Sequence, residues 1–146
     1  MASNWGMEMI NRLKRISVGA DGVFSEFRFD GDDHYSMITA EHAYFNGDTG
    51  LWEAKIQPGS YECVRGVHAL HSGPVETFEV TGVNGHSGIL CCHVGNYPQV
   101  DSDGCVLAGY EALIVDGKKM VTCSKATYLS YMARLDGIDH FTLVVE

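Results

Sequence analysis

The run His93-Val-Gly-Asn-Tyr-Pro-Gln-Val-Asp-Ser-Asp-Gly-Cys105 sets a histidine at the end of an apolar strand and a cysteine directly after an acidic glycine turn. Those are the two groups that a thiol nucleophile and its base require. A cysteine is a poor nucleophile at its ordinary pKa of ~8.5 and a good one when an imidazole or a turn of backbone N–H groups favours the thiolate. Cys105 is therefore read as the nucleophile, and His93 as its base or as the organiser of the loop. Ser102 either polarises the site or caps the turn through its hydroxyl, and Gly104 meets the turn geometry. Each also has an ordinary reading: Cys105 as a small apolar residue opening a buried strand, His93 as a buried ring bonded to its own loop, and Asn96 as a turn former. Asp103, and Asp101 if it points the same way, raise the thiol pKa by like-charge repulsion unless they orient His93 instead.

Around this motif, Asn96, Tyr97, Asp103 and Tyr110 are the candidate substrate contacts. Tyr97 and Tyr110 bracket the motif and suit stacking on a sugar or peptide, whereas Trp5, Trp52 and Tyr61 read as core or rim. Glu41 and His42 would face opposite sides of a strand, so at most one enters a cleft, and a solvated strand face is expected for both. His86, His93, Asp101, Asp103 and Cys105 are borderline-soft ligands for zinc if they converge. No zinc spacing is present, so no metal ligand is assigned and no cofactor is expected. A calcium loop over Gln99 to Tyr110 fails, because aligning Gly104 with the loop glycine puts Gln99 and Tyr110 at its first and last ligand positions.

The elements that must position these residues read as β-rich. Seventeen glycines, abundant Val, Ile, Thr, Phe and Tyr, and turn signals every ~8–12 residues predict a mixed or antiparallel sheet or small barrel. Met7 to Val18 alternates, with Leu13, Ile16 and Val18 as its apolar positions after a slip. Asp21-Gly22 turns it into Val23–Phe29, an opening hairpin. Tyr35 to Tyr44 reads as the third strand, Phe45 to Gly50 as a loop, and Ile56 to Val64 as a Pro-Gly turn feeding a strand. Further strands are predicted at Glu76–Val83, Ser87–His93, Cys105–Ala108 and Phe141–Val145. One packed helix is expected near the C-terminal end, capped by Ser124 and running from Lys125 to Leu135. Its apolar stripe is read as Ala126, Leu129, Met132 and Ala133, and Asp136-Gly137 ends it in the left-handed position.

At 146 residues the chain is read as one domain, 1–146, with residues 1–6 as an N-terminal arm. A net charge of −9 argues against nucleic acid as a partner, since phosphate binding requires a basic face. The basic cluster Arg12-Leu-Lys-Arg15 is read as the solvent face of a strand. No secretory apolar region opens the chain, and no run reaches the length of a membrane span. Five cysteines without regular spacing suit a reducing compartment. Adjacent Cys91 and Cys92 are expected on opposite faces of a strand, where they would not bridge.

Three segments in order carry a resemblance: Ile56-Gln-Pro-Gly-Ser-Tyr61, Gly88-Ile-Leu-Cys-Cys-His-Val-Gly-Asn96 and Asp101-Ser-Asp-Gly-Cys-Val-Leu-Ala-Gly109, followed by a Ser-led helix. From about Met9 to Val145 the chain resembles a family of phage and bacterial proteins that has no assigned activity. At a second level, His93 and Ser102-Asp-Gly-Cys105 are similar to the L,D-transpeptidase catalytic motif. The His-to-Cys interval is shorter here, Asp103 stands where that motif has histidine, and Leu107 where it has a substrate-contacting arginine.

The second resemblance implies that Cys105 attacks a peptide carbonyl in peptidoglycan and that His93 takes its proton. It also implies that the backbone N–H groups of Gly104 and Cys105 face the oxyanion. The expected function is a phage-encoded or phage-like cysteine-dependent enzyme acting on bacterial cell-wall peptide, by transfer or hydrolysis, located in the host cytoplasm or on the virion. Two alternatives stand beside it. One is a non-enzymatic tail or baseplate accessory protein bound to phage structural proteins, docking through its apolar N-terminal arm. The other is a zinc-dependent hydrolase.

Overall fold

The computed structural model describes residues 8–146; the N-terminal arm expected at 1–6, with Trp5, lies outside them, as does Met7. Eight strands close into one barrel: β1 (Ile10–Gly19), β2 (Gly22–Arg28), β3 (Ser36–Glu41), β6 (Gly59–Leu70), β7 (Gly73–Val80), β8 (Leu90–His93), β9 (Val106–Gly109) and β12 (His140–Val145). Around the ring the order is β1-β12-β6-β7-β8-β9-β3-β2. Two contacts in that ring are parallel, β1 with β12 and β8 with β9; the rest are antiparallel. Two hairpins stand outside it, β4 (Tyr44–Asn46) with β5 (Leu51–Glu53), and β10 (Ala112–Val115) with β11 (Lys118–Val121). A single helical turn, α1 (Pro98–Asp101), and the longer α2 (Ser124–Arg134) complete the chain. No helix among the described residues is long and apolar enough to cross a membrane.

The β-rich expectation and the opening hairpin hold, and the boundaries move. Tyr35 to Tyr44 is not one strand: it breaks after Glu41, and the stretch read as a loop at Phe45 to Gly50 belongs to the β4–β5 hairpin. The β10–β11 hairpin was not expected, although Asp116-Gly117 is a two-residue turn with both residues at positive φ, +51° and +78°. β6 runs on to Leu70 and turns into β7, three residues ahead of the predicted start.

An eight-stranded barrel has an interior just wide enough for side chains to fill. Here one half of it is aromatic. Tyr131 of α2, fully buried, is edge-on or tilted to Phe27, Phe29 and Phe78 at 5.6–6.2 Å, and its hydroxyl donates to the Cys91 carbonyl. Because Phe27 and Phe78 sit on strands across the ring from one another, the helix closes that mouth with a single ring. The buried stripe of α2 is therefore Ser124, Thr127, Tyr131 and Leu135; of the stripe read from the sequence, Met132 packs against the core while Ala126, Leu129 and Ala133 are exposed. Nor is Ser124 the cap: Cys123 holds that place in left-handed conformation, φ 50°. Gly137 does end the helix region at φ +76°.

The other half of the interior is ionic. β1 alternates without a break, so Ile16 and Val18 are exposed with Arg12 and Lys14 while Asn11, Leu13 and Arg15 point toward the barrel, and a bulge at Ile16 shifts its pairing with β2. The basic cluster is thus split: Arg12 and Lys14 are exposed, and Arg15 pairs with Glu41, which is fully buried rather than solvated. Arg15 also donates to the Ile56 carbonyl at 2.7 Å and to Ser25 at 3.1 Å. Burial pushes the Glu41 carboxyl above its ordinary value, and the guanidinium pulls it back in part.

Outside the barrel, β11 lies over Phe24, Ala40 and Leu107, with Val121 buried among them. Gly109 makes that approach possible. A Cβ there would stand 2.4 Å from the Val121 Cβ and 3.0 Å from the Ile38 carbonyl oxygen. Gly109→Ala is expected to cost about 1–3 kcal/mol as overpacking, read as a lowered urea midpoint; an unchanged midpoint would mean the hairpin does not seat on the barrel.

Candidate active site

Parallel neighbours require a crossover of about a dozen residues. Residues 94–105 are that crossover, leaving His93 as the last residue of β8 and Cys105 just ahead of β9. The spacing of the motif is thus the length of a minimal parallel connection. Its backbone is pinned at close intervals. Asp101 accepts the N–H groups of Asn96 and Tyr97, both at 3.0 Å, which starts α1. The Asn96 side chain donates to the Val121 carbonyl at 2.8 Å, and the Gly95 N–H donates to Ser124 Oγ at 3.0 Å. Gln99 bonds both backbone groups of Ala43. Gly95 itself packs so closely on Leu107 and Asp101 that a Cβ would meet them at 2.8–2.9 Å.

The turn before Cys105 is held from both sides. Ser102 Oγ donates to the Cys105 carbonyl at 2.6 Å and accepts the Gly104 N–H at 3.1 Å. Ser102 is therefore the cap of its turn, and the Gly104 N–H, expected at an oxyanion, is already taken. On the far side, His42 Nδ1 donates to the Ser102 carbonyl at 2.7 Å while its ring stacks on Tyr44. Lys55 Nζ donates to the Asp103 carbonyl at 2.7 Å, and its stem lies against Gly104, where a Cβ would come within 2.6 Å of it.

His93 and Cys105 both line one cleft of about 540 Å³, a size that suits a peptide-sized group. The tip of the β6–β7 hairpin, with Leu70, His71 and Ser72, forms one wall; Tyr128 of α2 and the crossover residues Val100, Asp101 and Asp103 close the others. Along the paired strands, His93 lies beside Leu107, two residues beyond Cys105. That offset is roughly 7 Å of strand rise. No hydrogen bond joins the ring to the thiol among the described residues; instead Cys105 Sγ accepts the Leu90 N–H at 3.2 Å.

Both groups rest neutral. Burial raises the Cys105 thiol above its ordinary range, with Cys91 and Asp103 adding to it and the Leu90 N–H and Lys55 opposing. Burial lowers the His93 imidazole, offset in part by the Val94 carbonyl and Asp101. Since a carbonyl only accepts, the 3.0 Å contact of His93 Nδ1 with Val94 O puts the proton on Nδ1. Nε2 is left with its lone pair, the form a general base needs.

Of the other candidates, Asp103 lines the cleft, whereas Asn96, Tyr97 and Tyr110 do not. Asn96 is spent on the loop, Tyr97 lines a separate groove with Val115 and Lys118, and Tyr110 is exposed beyond β9. His86 lies apart from the cleft, in a pocket with Tyr44 and Tyr61. No three His, Cys, Asp or Glu side chains converge as a metal-binding group among the described residues. The pairing of β8 with β9 skips Cys92, and this bulge breaks the alternation expected there: the sulfurs of Cys91 and Cys92 lie 3.0 Å apart.

His71, Tyr128 and Lys55 carry no local signal in the sequence, because each reaches the site from a distant segment, and His42, expected on a solvated strand face, instead holds the Ser102 carbonyl. No known protein family, curated protein or solved structure matches the chain.

Proposed function

We propose that the protein is a cysteine-dependent acyl-transfer enzyme, phage-encoded or phage-like, that acts on peptide cross-links of the bacterial cell wall. The observation that carries this reading is that Cys105 and a neutral His93 open onto one 540 Å³ cleft. Cys63, Cys91 and Cys92 are fully buried, and Cys123 is exposed at the start of α2 without lining that cleft. In the reaction, the Cys105 proton passes to His93 Nε2 through bridging water, and sulfur bonds to the substrate carbonyl carbon. The carbon–nitrogen bond then breaks, His93 returns the proton to the departing amine, and the thioester is resolved by a second amine or by water.

The test is intact-mass analysis of protein acid-quenched after incubation with purified peptidoglycan fragments. A hydroxylamine-labile adduct on Cys105, absent in Cys105→Ser, is expected. Unmodified protein and unchanged fragments would overturn the reading.

A second reading is favoured by the exposed apolar residues Leu113, Ile114 and Val115 on β10 and the Phe45–Trp52 pair on the other hairpin. These suit an accessory protein docked on phage structural proteins. Such a protein would form a stable complex with virion components and carry an unreactive Cys105.

A further inference from the structure

The nucleophile reading leaves one residue beside the turn without a part. Lys55 follows β5, on the outer side of the Cys105 turn, and is not among the residues that line the cleft. Its ammonium grips the Asp103 carbonyl at 2.7 Å, its stem fills the space left by Gly104, and its charge sits 5.1 Å from the centre of the Tyr44 ring. Tyr44 in turn stacks at 4.4 Å on His42, which holds the preceding carbonyl, that of Ser102. Two successive carbonyls just ahead of the nucleophile are thus held from one side by a cation and an imidazole. The cleft itself has no lysine or arginine in its walls, and Asp101 and Asp103 both face it.

We propose that Lys55 is a positioning residue for Cys105: it fixes the turn that aims the thiol into the cleft and supplies the cation that favours thiolate there. This rests on the reading of Cys105 as nucleophile. The groups acting on the thiol are Asp103 on its own turn, Cys91 and the Leu90 N–H on β8, and Lys55 across from them. The cleft adds His71 from the hairpin tip, His93 from the end of β8, and Asp101 from α1. Lys55 is the one cation acting on the thiol among the described residues, and it opposes the effect of burial and the like charge of Asp103.

The experiment follows the pH dependence of Cys105 alkylation by iodoacetamide, peptide by peptide, in the parent protein, Lys55→Met and Lys55→Arg, with melting temperatures alongside. Lys55→Met keeps the stem and removes the charge. Its alkylation midpoint is expected to rise by about half a pH unit, about a threefold slower reaction at pH 8, while Lys55→Arg restores the parent profile. Lys55→Gln also removes the charge but can still donate to the Asp103 carbonyl; it should move the midpoint up as well, which keeps the test open if Lys55→Met does not fold. A folded Lys55→Met with the parent midpoint, whatever its melting temperature, overturns the proposal, as does an unmoved midpoint in Lys55→Gln. Alkylation needs no substrate, so a shifted midpoint in a protein that turns over no cell-wall fragment would sustain the role of Lys55 and remove the acyl-transfer reading.

Discussion

Arg15→Met is expected to lose about 3–5 kcal/mol of stability at pH 7, because it leaves the fully buried Glu41 carboxylate without its counter-charge. A loss of that size is a large part of the 5–15 kcal/mol typical of a domain. The pH dependence follows in sign. Burial already holds the Glu41 carboxyl above its ordinary value of 4.5, and removing the guanidinium, which pulls it down, raises it further. The folded variant then binds its proton more tightly than the unfolded chain. Its stability is fully present below pH 4.5 and falls as pH rises through the folded value. Urea titrations at pH 7 and pH 5 should therefore show the deficit shrinking at the lower pH. Replacing both partners, as in Arg15→Met with Glu41→Leu, should recover most of the loss, since two apolar side chains leave no buried charge. A single variant as stable as the parent at pH 7 would mean that water reaches Glu41.

The second large effect is on activity. Cys105→Ser should lower acyl transfer by about a thousandfold or more, and His93→Ala by about 10²–10⁴-fold, with urea midpoints near that of the parent for Cys105→Ser. The pH profile distinguishes this site from a resting thiolate–imidazolium pair. With the thiol raised above its ordinary value and the imidazole lowered below 6.5, both are neutral through the neutral range. Alkylation of Cys105 should still be climbing at pH 9, and the acid limb of turnover should fall below pH 6.5 as His93 Nε2 is protonated. A rate that levels off well below pH 8 would show a thiolate at rest and a geometry unlike this one.

Local chemistry made the first hairpin, the turn at Asp136-Gly137 and the last strand readable from the sequence. Where a residue's partner is distant, the reading failed. Ile16 and Val18 look like core by residue type but share the exposed positions of β1 with Arg12 and Lys14, and Arg15 and Glu41 look solvated until the ring brings β1 and β3 together. Tyr131 was invisible as the plug because its neighbours Phe27 and Phe78 come from two separate strands. Asp116-Gly117 differs from these, because its turn chemistry is local and marks the β10–β11 hairpin directly. In the site, the crossover made the His93–Cys105 interval legible, since both ends lie on one stretch of chain. Lys55, His42 and His71 enter only through the closed sheet.

That ring is fastened where β1 lies beside β12, with Ile10 next to Thr142 and Leu13 next to Val145. On a ribosome Cys105, His93 and every wall of the cleft except Tyr128 would emerge well before the strand that locks them. Until β12 arrives, β1 and β6 present open edges, the surfaces most prone to pair with another chain. Assembly is thus dominated by a contact between distant parts of the polypeptide, a topology that folds in milliseconds to seconds rather than microseconds. The nascent chain carries its greatest risk of aggregation in the interval before the last strand is made.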